Sequence, residues 1–133
     1  MAEHAVPQVV LIAERDASVR ELQSLFLERA GYVVEFADDG QLALDRVRGL
    51  APALLVTEIL IPKLDGLTLC RRIRADETLR DLPVFVFSIL AAGTRAREAG
   101  ASGFLRKPLV ESTFVAEVAR AIATRLPSLM EQQ

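Results

Sequence analysis

Short unbroken apolar runs alternate along this chain with longer segments whose apolar positions recur at helical spacing. Val9–Ala13 (VVLIA) reads as a strand covered on both faces. Ser18, Val19, Arg20 and Glu21 make a capping-box pattern that predicts a helix start. Val19, Leu22, Phe26 and Arg29 then follow helical spacing, with Leu25 widening the stripe and Gly31 ending it. Residues 32–37 (YVVEFA) predict a second strand, Asp38-Asp39-Gly40 a turn, and residues 41–48 a second helix closed by Gly49 and Pro52. Residues 53–57 (ALLVT) predict a third strand running into Glu58 and a loop to Gly66, followed by a helix over 67–75. After Pro83 come a fourth strand, Val84–Ser88, and a short helix over 94–99 that ends at Gly100. Phe104 and Leu105 belong to a fifth strand. The last helix runs over 112–126, with Val115, Val118, Ile122 and Leu126 on one stripe and Pro127 limiting it.

A strand-helix unit repeated five times predicts an α/β fold, a parallel sheet with helices on both faces. Right-handed crossovers favour an open, doubly wound sheet, in which functional groups gather at the carboxyl ends of the strands. The predicted domain covers residues 9–126, between an N-terminal tail over 1–8 and a C-terminal tail over 127–133. Strand one ends at Glu14 and Arg15, strand three at Glu58, strand four at Ser88 and strand five at Arg106-Lys107-Pro108. One sheet edge would thus bring together two carboxylates, a guanidinium, a hydroxyl and an ammonium. Taken singly, each is an ordinary solvated loop residue; together at strand ends they mark a site.

Three stretches carry a resemblance to a known family: residues 10–20 (VLIAERDASVR), 53–66 (ALLVTEILIPKLDG) and 103–108 (GFLRKP). The chain resembles the receiver domain of bacterial two-component response regulators over almost its whole length. The resemblance implies a flavodoxin-like (βα)5 fold with strand order 2-1-3-4-5. It also implies roles by position. Glu14 and Arg15 stand where the family has two acidic residues that help bind Mg²⁺, and Glu58 stands where it has the aspartate that accepts phosphate. Ser88 matches the switch hydroxyl, Lys107 the phosphate-contacting lysine and Phe104 the switch aromatic.

Arg15 and Glu58 depart from the family pattern. A glutamate is one methylene longer than aspartate, and displacing a nucleophile that far can cost on the order of 100-fold in rate. Arg15 adds a cation where Mg²⁺ needs an oxygen ligand. The two changes suggest a bidentate Arg15–Glu58 pair, the cation standing in for the metal and Ser88 and Lys107 joining in. The expectation is a pseudo-receiver locked without phosphorylation, with Phe104 leaning inward because burial of an apolar ring is favourable. No metal is expected, Glu14 being a weak candidate ligand; Asp16 would supply a carboxylate only if the strand end slipped by one residue. A working phosphorelay receiver that binds Mg²⁺ is the alternative, and an enzyme or small-ligand binder on the same fold is the third. Against the third, no Gly-x-Gly-x-x-Gly follows strand one. The segment between Ser88 and Gly100 is short by about one helical turn, so the fourth helix is expected to be stunted, and Ile89 is bulky enough to restrict access to the site.

Composition narrows the partners. A net charge of −2 gives no basic excess for direct nucleic-acid binding, and Arg71, Arg72 and Arg74 read as a solvated helix face. Cys70, the one cysteine, reads as a core residue, and the one histidine, His4, lies in the tail. Residues 1–8 lack the basic-then-apolar pattern of a signal peptide, and no apolar run reaches the roughly 18 residues of a membrane span. The expectation is a cytoplasmic signalling protein whose partner is a histidine kinase, another signalling protein or an output domain, with a homodimer as a further option.

Overall fold

A computed structural model of the chain describes residues 6–124. The elements run β1 (Val9–Ala13), α1 (Ala17–Arg29), β2 (Val33–Ala37), α2 (Gly40–Leu50), β3 (Leu54–Thr57), α3 (Gly66–Ala75), β4 (Val84–Ser88), α4 (Gly93–Glu98), β5 (Gly103–Arg106) and α5 (Glu111–Ala123). The five strands are parallel in the order β2-β1-β3-β4-β5, the flavodoxin-like arrangement implied by the resemblance. Ala13 pairs with Thr57, so the residues that follow them, Glu14 and Glu58, leave the sheet side by side. Ser88 pairs with Arg106, which delivers Lys107 to the same edge.

The unbroken apolar runs are explained by burial on both faces. Leu11, Leu55, Val84 and Val86 face α2, α3 and α4 through Leu44, Val47, Leu69, Ile73 and Ala96. Val10, Ile12, Leu54, Phe85 and Phe87 face α1 and α5 through Leu27, Phe114 and Val118. Phe114 anchors the second layer, its ring centroid 5.3 Å from that of Phe87 and 6.1 Å from that of Phe85. Cys70 is buried in the first layer, where desolvation raises its thiol pKa, as befits a core residue. No helix among the described residues is long and apolar enough to cross a membrane.

Several details differ from the sequence reading. Asp16, not Ser18, caps α1: its carboxylate accepts from the N–H groups of Ser18 (2.9 Å) and Val19 (3.1 Å). The helix therefore starts as soon as the chain leaves β1, with one Asp16 side-chain oxygen satisfying two of its free N–H groups. The inward face of α1 is carried by Gln23 and Leu27, while Leu22 and Leu25 stay 44% and 46% exposed. Helical spacing gives a stripe but not which edge of it meets the sheet. In α5, Phe114, Val118 and Ala121 are buried and Val115 and Ile122 only half-buried; Leu126, Pro127 and the tail 127–133 lie outside the described residues, as does His4. The fourth helix is short as expected, six residues long.

Arg71 and Arg72 are exposed, but Arg74 is not part of a solvated face. Its guanidinium donates to the carbonyls of Gly100 (2.8 Å) and Arg80 (3.1 Å), and to Ser102 Oγ (3.3 Å), tying the end of α3 to the turn before β5. Gly100 has φ +102, and a Cβ there would lie 2.6 Å from Arg74 Cγ, so the glycine serves both the turn and the staple.

Candidate functional site

The site is built where β1, β3, β4 and β5 end. The N–H of Glu58 donates to the carbonyl of Ala13 (3.0 Å), and the Thr57 hydroxyl donates to the Glu58 carbonyl (2.8 Å), which holds the end of β3 in place. Thr57 itself points away from the site, as strand alternation requires. Gly66 lets α3 approach closely, since a Cβ there would sit 2.3 Å from the Glu58 carbonyl oxygen.

The Glu58 side chain is 4% exposed and folds back over its own loop. Its Oε1 accepts from the N–H of Ile59 (2.6 Å), more weakly from that of Leu60 (3.4 Å), and from the Ser88 hydroxyl in a short hydrogen bond. Its Oε2 accepts from the N–H of Ile89 (3.2 Å) and meets Lys107 Nζ at 3.0 Å. Lys107 Nζ also stands 3.0 Å from Glu14 Oε1, so one ammonium bridges two carboxylates. The contact with Glu14 is Coulombic rather than well aligned, for Glu14 Oε1 lacks a hydrogen-bond donor in good geometry. Glu14 Oε2 accepts from the N–H of Asp16 (3.1 Å). Ser88 is fully buried and ties the site together, its Oγ accepting from Leu90 N–H (3.1 Å) and its carbonyl from Lys107 N–H (2.8 Å).

Burial alone would push the Glu58 carboxyl up, but donation from Ser88, Lys107 and the Ile59 N–H outweighs it and holds the pKa below the ordinary value of 4.5. Burial likewise opposes the charge on Lys107, yet the Glu58 and Glu14 carboxylates, each 3.0 Å away, raise its pKa above the ordinary 10.5. The ammonium and the Glu58 carboxylate hold each other ionised.

The Arg15–Glu58 pair expected from the sequence is not formed. Arg15 is exposed, with no carboxylate at ion-pair distance among the described residues, and Lys107 holds the place intended for it. Successive residues leaving a strand point opposite ways, so Glu14 enters the site and Arg15 faces water. Ile89 is 58% exposed, and its backbone N–H donates to the carboxylate. Phe104 lies half-buried beside α4, against the core layer that holds Ala96 and Ala99.

The donor set does not fit Mg²⁺. The ion needs a near-octahedral oxygen shell. Here Glu14 and Glu58 share an ammonium, Asp16 is committed to capping α1, and Arg15 supplies no oxygen. Among the described residues no group of three histidine, cysteine or acidic side chains is placed to hold a metal. Two features of the site were missed in the sequence, the Lys107–Glu14 contact and the backbone donors of Ile59 and Ile89. Strand-end spacing signalled the first; the second depends on loop conformation.

With this geometry in view, the family is plain. The response regulator receiver domain matches residues 10–119, and the chain belongs to that family. The DNA-binding dual master transcriptional regulator RpaA of Synechocystis is 34% identical over 119 residues, spanning 87% of this chain and 49% of that protein. A solved chain from Chloroflexus aurantiacus, described as a response regulator, superposes with a TM-score of 0.85 at 33% identity, covering 89% of this chain and 99% of that one. The receiver domain of sensor histidine kinase PA1611 from Pseudomonas aeruginosa shares the fold, with a TM-score of 0.80 at 23% identity over 89% of this chain and 99% of its own. That protein carries a magnesium ion in its active site cleft. The chain spans about half the length of the curated relatives it matches.

Proposed function

We propose that this receiver works without phosphotransfer, as a pseudo-receiver that signals by protein contact. The observation that carries the reading is the Glu58 carboxylate, buried and saturated by Ser88, Ile59, Ile89 and Lys107. Charge-assisted hydrogen bonds contribute about 1.5–3 kcal/mol each. Using a Glu58 oxygen as a nucleophile would forfeit several of them, and phosphoryl transfer also needs a cation and in-line access. Lys107 supplies the positive charge permanently, and the Glu58 carboxylate is turned back onto the N–H groups of its own loop rather than presented for in-line attack. Ser88 and Lys107 are thereby engaged by the protein's own side chain. The output is then the surface so held, read by a protein partner of the signalling machinery in the cytoplasm.

The test is a Mg²⁺ titration of the purified chain with and without beryllofluoride, followed by backbone amide NMR. The expected result is no beryllofluoride-dependent shift around Glu58, Ser88 and Lys107. Millimolar Mg²⁺ binding with such shifts would overturn the proposal and restore a phosphorelay receiver.

A further inference from the structure

The apolar stripe of α1 faces away from the sheet. Leu22 and Leu25 are 44% and 46% exposed, and Phe26 beside them is half-buried. Gln23 takes the inward position, buried with its Oε1 unpartnered. The helix thus buries an amide and presents leucines to water, the reverse of what a helix covered only by its own sheet shows. Among the large exposed apolar side chains of the described residues, Leu22 and Leu25 are the one pair on the same helix, a turn apart. A groove of about 520 Å³ runs along the stripe from Ser18 to Glu28, and a second of about 490 Å³ lies between Phe26 and Val115 of α5.

The charges on this face follow an order that complements its own reverse. Glu21, Leu25 and Arg29 recur at every fourth position, so they form one ridge, with an acid at one end, a leucine in the middle and a cation at the other. Glu21 has no cation at ion-pair distance among the described residues. Arg29 holds Glu111 through Nε (3.2 Å) and Nη2 (2.8 Å), which leaves the donors of Nη1 free for a second carboxylate.

We infer that α1 docks a second copy of this chain, helix against helix and antiparallel. In the commonest class of helix packing, with axes crossing at about −50°, the four-residue ridges of both helices lie side by side. A two-fold contact that sets Leu25 beside Leu25 of the second copy then sets Glu21 beside Arg29 of the second copy, twice. Leu22 and Phe26 belong to the neighbouring ridge, so the groove between the two ridges is walled by three apolar side chains. Burial of Leu22 and Leu25 drives the contact. The charge pairs fix its direction, because a parallel arrangement sets acid beside acid and cation beside cation. The chain carries its own complement on this face, which is why the occupant is a second copy. The contact goes beyond the reading of the Glu58 site and does not depend on it.

Sedimentation velocity of the full chain from about 5 to 500 µM, with amide NMR over the same dilution series, tests the inference. A contact of one helix pair is small, so the expected dissociation constant is about 10–100 µM. Dilution should shift amides on α1 between Ser18 and Arg29 and leave those of α4 and β5 unmoved. L25E, at an exposed position, should weaken the dimer at least about tenfold, while R71E on α3 leaves it unchanged. E21R and R29E each bring like charges together and should each dissociate it. Their equimolar mixture should recover a heterodimer, since both crossed pairs are then complementary. If loss of the Glu111 contact unfolds R29E, then E21R, L25E and the wild-type dilution map still decide. A chain that stays monomeric at every concentration would overturn the inference. So would a dimer whose shifts lie off α1, a dimer indifferent to L25E or E21R, or a mixture of folded E21R and R29E that stays monomeric.

Discussion

Replacing Lys107 with methionine removes the ammonium and keeps most of the stem. It leaves Glu14 and Glu58, 2% and 4% exposed, as two buried carboxylates without their shared cation. Removing one partner of a buried ion pair costs about 3–5 kcal/mol. Lys107 is 17% exposed, so some of its attraction is already screened and the lower end, about 3 kcal/mol, applies. For a chain of this size that is a fall of roughly 10 °C in Tm. Thermal melts followed by circular dichroism measure it directly. Two further arms separate lost charge from lost packing. Adding E58Q to K107M removes a stranded carboxylate and should restore part of the loss, a coupling that a double-mutant cycle reports. Lowering the pH from 7 to 5 should also shrink the deficit, since a stranded buried carboxyl takes up a proton readily. The wild type behaves oppositely. Its Glu58 pKa is below the unfolded 4.5, so that stabilisation is complete above 4.5 and disappears as pH falls through the lower folded value. Its Lys107 pKa is above the unfolded 10.5, so that contribution is complete below 10.5 and disappears as pH rises through the higher folded value. A K107M loss under about 0.5 kcal/mol, or a deficit that does not change with pH, would refute the view that an internal cation holds this site.

The remaining predictions concern the metal site, a buried amide and the staple. The variant E58D, which shortens by one methylene the carboxylate now held by Ser88 and Lys107, should gain beryllofluoride-dependent Mg²⁺ shifts by NMR, and its silence would mean that the Lys107 bridge to Glu14 still closes the site. Gln23 is buried on α1 with its Oε1 unpartnered, so Q23M, similar in volume, should raise stability by about 1 kcal/mol in urea melts; a fall would show that the amide has a bound water or other partner. R74A should cost about 2 kcal/mol by the same assay, because the carbonyl of Gly100 and the Ser102 hydroxyl lose a charged donor. A change within experimental error would demote the staple to a surface contact.

Much of this protein is written in local order along the chain. The apolar runs at Val9–Ala13 and Val84–Ser88 are strands with the predicted bounds, because a strand covered on both faces leaves no polar position to blur its edges. Strand ends likewise mark Glu14, Glu58, Ser88 and Lys107, since in a parallel sheet their carboxyl ends share one edge. Which of these side chains meet was decided only by the tertiary structure. Arg15 and Lys107 are both cations that follow strand ends on the edge where Glu58 lies. The outward turn of Arg15 after β1, and the pairing of Ser88 with Arg106, choose Lys107. Asp16 and Ser18 are both good caps, and the tight exit from β1 selects Asp16. On α1 the sequence carries a stripe, and packing against the sheet turns it so that Gln23 is buried and Leu22 exposed. Periodicity and capping are properties of neighbours in the chain. Contacts at 3 Å between the ends of β1, β3 and β5 depend on strand register and side-chain direction, which exist only once the sheet has formed.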